Sequence, residues 1–357
     1  MKKYDVLVFI GRFQPFHNGH KAIIDRALEL SKEVLILTGS SNRPRSLRNP
    51  FTFEERRDMI LGSYTPDFEK DSVLQARQKR IVVRPINDIM YNDDRWIEQV
   101  QRIVTNEVVK MINSDTPNAG LHGLNDAKIG LIGCAKDHTS YYLNLFPTWA
   151  SETVYKFPDL DSTSVRDEFF ETGVIPYDTV PEYVQTWLET WGESKEYENL
   201  LTEAQFVRGY QESVKKYPRI EHTVDAVVIQ SGHILLIRRR SEPGKGMWAL
   251  PGGFLNLTEK LKDGAIRELR EETKIKVPTA VLRGSIVKEK TYDDPHRSDR
   301  ARIITQAFLF KLTDGPLPRV KGSDDADKAA WVPLSQISAD SLFEDHYFIV
   351  QDMIGDL

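Results

Sequence analysis

Two domains in series are predicted by this sequence: an N-terminal α/β domain built on a doubly wound parallel sheet, then an α+β domain. Three observations carry the prediction. The chain has 357 residues, more than twice the ~150 of a typical domain. From Tyr4 to Ile132, β-rich runs alternate with runs of helical period, an order that right-handed crossovers close into a parallel sheet. From Pro181 to Tyr217 the texture changes to Glu, Lys, Gln, Tyr and Trp without a strand-like run, after which β character returns around one long helix. The expected limits are residues 1–180, a helical linker over 181–219, and 220–357.

Taken in order, Tyr4–Ile10 (YDVLVFI) reads as a buried strand, and His20–Leu30 (HKAIIDRALEL) has the spacing of an amphipathic helix. Glu33–Leu37 (EVLIL) is a second strand, followed by the turn-like stretch Thr38–Arg45. Phe51–Leu61 is helical, with Thr52 as N-cap and Glu55 three residues on to complete a capping box. Ile81–Pro85, a helix over Trp96–Met111, and the strand Ile129–Ile132 continue the alternation. In the second half the expected strands are Val224–Ile229, Ile234–Arg238, Ile303–Phe310 and Ala330–Val332, with Leu261–Lys274 as the long helix.

Hydrophobic residues at 40% and charged residues at 28% describe an ordinary globular chain and exclude a disordered one. A formal charge of −5 offers no basic excess for gripping nucleic acid, so no nucleic-acid partner is expected. One cysteine, Cys134, excludes an internal disulfide and a thiolate-built metal site within the chain. Met1–Asp5 lacks the apolar run of a signal peptide, and no stretch approaches the ~20 apolar residues of a membrane span. A cytoplasmic protein without a membrane partner is the expectation.

Ile10–His20 reads IGRFQPFHNGH and runs from the end of the first strand through a turn into a helix. His17 and His20 therefore stand at a helix start, where N–H groups and the macrodipole favour phosphate. Gly19 removes a side chain where a phosphate approaches the backbone. The end of the first strand is also where doubly wound sheets bind nucleotides. The fingerprint G-x-G-x-x-G of dinucleotide-binding folds is absent, so hydride chemistry is not indicated.

HxGH resembles the signature of the nucleotidylyltransferase superfamily, whose partner motif is ISSTxxR. Leu160-Asp161-Ser162-Thr163-Ser164-Val165-Arg166 is similar at Ser162, Thr163 and Arg166. Asp161 replaces a hydroxyl residue of that motif, and the helix-start and arginine contacts are expected to survive the change. GRFQPFHNGH resembles the nicotinamide mononucleotide adenylyltransferases over most of residues 1–180. The resemblance implies a Rossmann-like fold and transfer of adenylyl from ATP to nicotinamide mononucleotide, giving NAD and pyrophosphate. Arg12, Phe13, His17, Gly19, His20, Ser162, Thr163 and Arg166 are then the ATP-binding residues, with His17, His20 and Arg166 catalytic. Ser40, Arg48, Asn92 and Trp96 fall to nicotinamide mononucleotide. The attacking phosphate is already ionised near neutral pH, its second pKa being about 6, so alignment and charge neutralisation suffice.

The second half contains Pro251-Gly252-Gly253, then Glu259, then Arg267-Glu268-Leu269-Arg270-Glu271-Glu272. At 100° per residue, Glu268, Glu271 and Glu272 fall on one helical face. Like charges so placed repel, and a divalent cation reverses the sign because hard metals take carboxylate oxygens. The run is similar to the Nudix box, G-x5-E-x7-R-E-U-x-E-E-x-G-U, with Lys274 in place of its second glycine, where a positive φ is expected. The resemblance spans about residues 220–350. It implies a Mg²⁺ site (Mn²⁺ is an alternative) held by Gly253, Glu268, Glu271 and Glu272, with Arg267 orienting a glutamate. Glu272, Glu271 or an acid within Gly322–Asp327 would be the base. The stretch around Arg297, Arg300 and Arg302 resembles that of Nudix proteins acting on ADP-ribose, assigning Arg297 and Arg302 to that substrate and AMP and ribose 5-phosphate as products. Two rivals stand beside this reading: a transferase for another phosphate ester, and a Nudix half that senses a ligand or cleaves another nucleoside diphosphate.

Overall fold

The computed structural model describes residues 2–65, 72–115, 126–133, 145–154, 160–175, 178–215, 220–322 and 326–355. Cys134 and residues 323–325 of the acidic loop lie outside this set. The chain forms two compact units, Met1–Glu198 and Asn199–Leu357.

The first unit contains β1 (Tyr4–Gly11), α1 (Asn18–Leu30), β2 (Ser31–Thr38), α2 (Phe53–Gly62), α3 (Ser72–Gln78), β3 (Ile81–Pro85) and α4 (Asp93–Asp115). It continues through β4 (Ile129–Gly133), β5 (Ala150–Thr153), α5 (Ser162–Thr172) and α6 (Glu182–Trp191) into α7 (Lys195–Lys215). Its sheet is parallel throughout, in the order β3-β2-β1-β4-β5. The expected doubly wound arrangement is therefore present, with the reversal of winding beside β1, where such sheets open a crevice at their C-terminal edge. Val6, Val8 and Ile10 of β1 pack with Leu35 and Leu37 of β2 and with Val100, Val104 and Val108 of α4. The i, i+4, i+8 spacing of those three valines gives α4 one apolar stripe, and each buried valine contributes about 1.5–3 kcal/mol.

Thr52 caps α2 as its sequence predicts: its hydroxyl accepts from the Glu55 N–H, and the Glu55 carboxylate accepts from the Thr52 N–H. The stretch expected to be a linker is divided. α6 packs on α2, where the Tyr183 hydroxyl and Trp187 Nε1 both donate to Asp58 Oδ2 at 3.1 Å. Gly62 makes room, since a Cβ there would lie 2.1 Å from the Tyr183 ring. The division between units falls within α7.

The second unit holds β6 (Glu221–Gln230), β7 (His233–Arg239), β8 (Trp248–Ala249), β9 (Gly252–Phe254), α8 (Leu261–Thr273) and α9 (Thr279–Gly284). β10 (Ile286–Tyr292), β11 (Ile303–Lys311), β12 (Ala326–Pro333) and α10 (His346–Ile354) follow. The mixed sheet runs β10-β11-β6-β7-β12, with β8 on β7 and β9 on β6. β11 and β6 are parallel and the other pairs antiparallel. Ala265, Ile266 and Leu269 of α8 pack on Val224, Ala226 and Val228 of β6. Lys274 ends α8 in the left-handed region at φ 48°, as the replaced glycine implies.

β5 and β10 were not expected, because neither shows apolar alternation; most of their residues are exposed edge positions. Among the described residues no helix is long and apolar enough to cross a membrane.

Candidate active sites

The first site lies where β1 gives way to α1. His17 is the N-cap of α1, and its Nδ1 accepts from the His20 N–H at 3.3 Å. His20 returns the contact, its Nδ1 accepting from the His17 N–H at 3.3 Å. The two imidazoles thus form a capping box built from histidines, with ring centroids 3.6 Å apart. Because both Nδ1 atoms act as acceptors, hydrogen bonding assigns the proton of each neutral ring to Nε2. Each ring then carries a donor, not a lone pair, at Nε2, and that of His17 is buried. His20 is braced by Phe13 at 4.8 Å and Phe16 at 5.8 Å.

Gly19 is needed here for a reason nearer than substrate. A Cβ on it would stand 3.0 Å from Cε1 of the His17 ring, so glycine lets the imidazole lie flat over the helix start. The turn before α1 is fastened on two sides. Gln14 exchanges two hydrogen bonds with the Phe51 backbone, at 2.9 and 3.0 Å. Arg166 of α5 donates to the Gln14 carbonyl at 2.6 Å and to the Thr163 hydroxyl at 3.3 Å, and Ser162 donates to the Pro15 carbonyl at 3.2 Å. Residues about 150 positions apart are thereby joined around one turn.

Arg56 completes the frame. It is fully buried, and its Nη1 donates to the carbonyls of Arg12 at 2.7 Å and Gly39 at 2.6 Å, while Nε donates to that of Thr52 at 3.0 Å. Burial pushes its pKa down to about 10, which still leaves it charged at neutral pH. The ends of β1 and β2 are pinned by one guanidinium.

The second site gathers around the start of β9 and the last turns of α8. Register pairs Asp225 of β6 with Gly252. Glu272 accepts from the Gly252 N–H at 2.9 Å, and Glu268 crowds Gly253, where a Cβ would meet its Oε1 at 2.6 Å. Arg267 organises the face. Its Nε and Nη2 grip Glu259 at 3.0 and 2.6 Å, while Nη1 donates to Glu268 at 2.8 Å and Glu271 at 2.9 Å. Burial raises the Glu272 pKa to about 8, with repulsion from Glu268 and Asp225 adding to it. Burial raises that of Glu268 as well, against the pull of Arg267.

Among the described residues no three of His, Cys, Asp and Glu close into a ready-made metal cage. The donor chemistry nevertheless fits a hydrated divalent cation shared with substrate phosphates: two crowded carboxylates beside the Gly252–Gly253 backbone. Beside them opens a cavity of about 250 Å³ lined by Asp225, Arg239, Arg240, Glu272, Arg300 and His346, among others. Burial lowers the His346 pKa and keeps the ring neutral, and its Nδ1 accepts from the Leu250 N–H at 2.9 Å. The lining therefore combines carboxylates with arginines, a mixture suited to a diphosphate with bound cation.

Comparison with known proteins assigns each half to a family. Residues 8–115 match the cytidylyltransferase-like family and residues 220–353 the NUDIX domain. A nicotinamide/nicotinic acid mononucleotide adenylyltransferase of Acinetobacter baylyi is 37% identical over 201 residues, covering 56% of this chain and 93% of that protein. An ADP-ribose pyrophosphatase of Methanocaldococcus jannaschii is 33% identical over 142 residues, covering 39% of this chain and 78% of its own. The crystal structure of a bifunctional NMN adenylyltransferase/ADP ribose pyrophosphatase from Francisella tularensis, complexed with AMP and a manganese ion, is 32% identical. It covers 98% of both chains with a TM-score of 0.86. The chain belongs to this family of bifunctional NMN adenylyltransferase/ADP-ribose pyrophosphatases.

In the adenylyltransferase unit, the structure brings together His17, His20, Phe13, Gly19, Ser162, Thr163, Arg166 and the Arg12 backbone. Other expected residues do local work. Ser40 sits at φ 53°, and its N–H and hydroxyl both donate to Asp88 Oδ1, at 3.2 and 3.1 Å. Arg48 is half-buried between β2 and α2. Exposed Asn92 accepts from the Arg95 N–H at 3.1 Å at the start of α4. Trp96 packs toward Phe146 at 6.3 Å, against the core of the sheet. One expectation needs correction. The start of α5 is not an open set of donors, because Asp161 Oδ1 accepts from the N–H groups of Thr163 at 2.8 Å and Ser164 at 3.0 Å.

In the Nudix unit, Arg267 orients glutamates as expected, and Glu271 stands 48% exposed at the edge of that network. The two arginines assigned to ADP-ribose stand in different surroundings. Arg297 reaches the cavity wall, but its Nε and Nη2 are committed to the fully buried Asp345 at 3.0 and 2.8 Å. Arg302 is not on the cavity wall and donates to the Asp293 carbonyl. Arg239, Arg240 and Arg300 line the cavity beside Arg297. The sequence did carry one overlooked signal, a carboxylate (Asp225) inside the otherwise apolar run TVDAVVI.

Proposed function

We propose that the bifunctional enzyme divides its chemistry between the halves, with adenylyl transfer carried by residues 1–180 and hydrolysis by residues 220–357. In the first, ATP lies across the start of α1. The Nε2–H groups of His17 and His20 and the Arg12 side chain hold its phosphates, with Thr163 and Arg166 on the β- and γ-phosphates. A phosphate oxygen of nicotinamide mononucleotide attacks the α-phosphorus, the bond to the β-phosphate oxygen breaks, and NAD and pyrophosphate leave. Ser40, Arg48, Asn92 and Trp96 serve the nicotinamide nucleotide. The histidine pair at the mouth of α1 carries this reading, because a reciprocal imidazole cap holds both rings at the helix start and leaves each Nε2–H to donate.

In the Nudix half, Gly253, Glu268, Glu271 and Glu272 would hold Mg²⁺ or Mn²⁺, which supplies Lewis acidity toward the diphosphate and acidifies water. Arg267 keeps the glutamates aimed, and Arg239, Arg240 and Arg300 hold the anionic substrate. Water attacks one phosphorus of ADP-ribose, the bridging P–O bond breaks, and AMP and ribose 5-phosphate result.

Measurement of both activities in His20→Ala and Glu272→Gln tests the division. The first variant is expected to lose NAD synthesis and keep hydrolysis, and the second to do the reverse. Loss of both activities in either folded variant overturns it. Pyrophosphate release from a panel of phosphorylated acceptors tests the substrate, and an inert nicotinamide mononucleotide overturns that assignment.

A further inference from the structure

Two buried polar side chains of the Nudix unit take no part in the proposed hydrolysis: Asp225 of β6 and His346 of α10, 5% and 7% exposed. Both line the cavity that also holds Glu272 and the arginines. Each has one polar atom committed to the fold and one left over. His346 Nδ1 accepts from the Leu250 N–H, so the neutral ring carries its proton on Nε2. The Thr305 hydroxyl donates to Asp225 Oδ2 at 2.5 Å, and Asp225 Oδ1 faces Gly252, where a Cβ would stand 2.4 Å from it. The segment leading to His346 is firmly held. Asp345 takes the Arg297 fork, and Glu344, in the left-handed region at φ 46°, lies 3.5 Å from Arg300.

The two remaining atoms, His346 Nε2 and Asp225 Oδ1, stand 4.0 Å apart. That is too far for a hydrogen bond, and among the described residues neither atom has another hydrogen-bond partner. A buried donor and a buried acceptor left open cost free energy unless a third group bridges them. Their spacing defines the bridge. An oxygen about 2.8 Å from both would see them at an angle of about 90°, which suits a group that accepts one hydrogen bond and donates another. A phosphate oxygen fails this test, since it lacks the hydrogen that Asp225 requires and carries a charge that Asp225 repels. A hydroxyl passes it.

We propose that Asp225 and His346 together bind a 2- or 3-hydroxyl of a substrate ribose. The hydroxyl donates to Asp225 Oδ1 and accepts from His346 Nε2–H. Each phosphorus of ADP-ribose is joined through one oxygen and one methylene to a ribose, so a diphosphate held by the arginines brings a ribose alongside. The pair makes the site selective for diphosphates whose sugar carries that hydroxyl. The inference rests on the reading of this cavity as the ADP-ribose site, and deepens it.

Inhibition of ADP-ribose hydrolysis by the two products and their deoxy forms tests this on the full chain. AMP is compared with 2′-deoxy-AMP and 3′-deoxy-AMP, and ribose 5-phosphate with its 2-deoxy and 3-deoxy forms, so the result also tells which ribose occupies the pair. In the native enzyme one of these deletions should raise the inhibition constant roughly tenfold or more, through loss of a hydrogen bond to a charged group. Asp225→Asn and His346→Gln should raise the constant of the parent product and bring it level with its deoxy form. Native constants indifferent to all four deletions overturn the proposal without recourse to any variant. A native preference that survives both substitutions overturns it as well. So does a fall in kcat with the inhibition constants unchanged, the mark of a pair that holds water instead of a sugar hydroxyl. Arg300→Gln separates the two levels. If it weakens the products while neither deoxy forms nor the Asp225 and His346 variants matter, the hydroxyl site is wrong and the cavity stands. If Arg300→Gln also changes nothing, the reading of the cavity fails and the hydroxyl site with it.

Discussion

Replacing Arg56 by methionine or by lysine separates two costs that the native residue balances. The guanidinium is completely buried and holds two carbonyls with one nitrogen, Arg12 at 2.7 Å and Gly39 at 2.6 Å. Leaving both carbonyls without this donor costs about 1–3 kcal/mol each, or ~2–6 kcal/mol together. The Thr52 carbonyl counts for less, because it also accepts the backbone N–H of Arg56 at 3.1 Å. Against this, burial has lowered the Arg56 pKa to about 10, well below the ordinary arginine range. At about 1.4 kcal/mol per pH unit, removing the charge returns ~3 kcal/mol. Arg56→Met should therefore shift stability of the first unit by between about 1 kcal/mol gained and about 3 kcal/mol lost. Arg56→Lys keeps the buried charge but lacks the fork that spans two carbonyls, so it should be at least as destabilising as methionine. Urea unfolding followed by tryptophan fluorescence measures this, since four of the six tryptophans (Trp96, Trp149, Trp187 and Trp191) lie in the first unit. Both variants should lose at least ~10-fold in kcat/KM for ATP, because the turn carrying Arg12 is no longer fixed, while ADP-ribose hydrolysis is unchanged. A lysine variant as stable and as active as the native enzyme would refute the reasoning.

Further outcomes follow from the second unit. Gly253→Ala sets a Cβ 2.6 Å from the flexible end of Glu268, so the carboxylate swings aside; hydrolysis should fall ~100-fold or more with stability within about 1 kcal/mol, by enzyme assay and thermal melting. Gly252→Ala instead places its Cβ 2.3 Å from the Val224 carbonyl, which is backbone and cannot yield; it should cost more than about 2 kcal/mol in the same melt. The half-buried Glu203 has its pKa raised to about 7 by burial. A folded-state pKa above the unfolded 4.5 means the native state holds the extra proton, so stability falls as pH rises from there through 7. Glu203→Gln should therefore stabilise by ~1–2 kcal/mol at pH 8 and by nothing at pH 4, read from urea midpoints. Removing divalent metal with a chelator should abolish hydrolysis and be reversed by Mg²⁺ or Mn²⁺.

The sequence by itself determined the features whose cause is local. The Thr52–Glu55 capping box, the helix start at His17 and the left-handed exit at Lys274 each depend on residues within four positions, and all three are present. The parallel sheet followed from alternating periods and the shared face of Glu268 and Glu271 from helical spacing, whereas the strand order and the reach of Arg267 to Glu259 came from the fold. Tertiary structure decided which charges are spent on the fold and which face a ligand. Arg56 sits in the run FEERRDM, where nothing distinguishes it from its neighbour Arg57, yet only Arg56 is buried beneath two strand ends. Arg297 carries a substrate-binding pattern, but Asp345, 48 residues away, takes its fork. Asp161 reads as a minor departure from a motif, and the structure shows its carboxylate capping the helix that follows. A charged side chain takes its role from the partners that desolvate it, and those partners are brought together by folding rather than by adjacency in the chain.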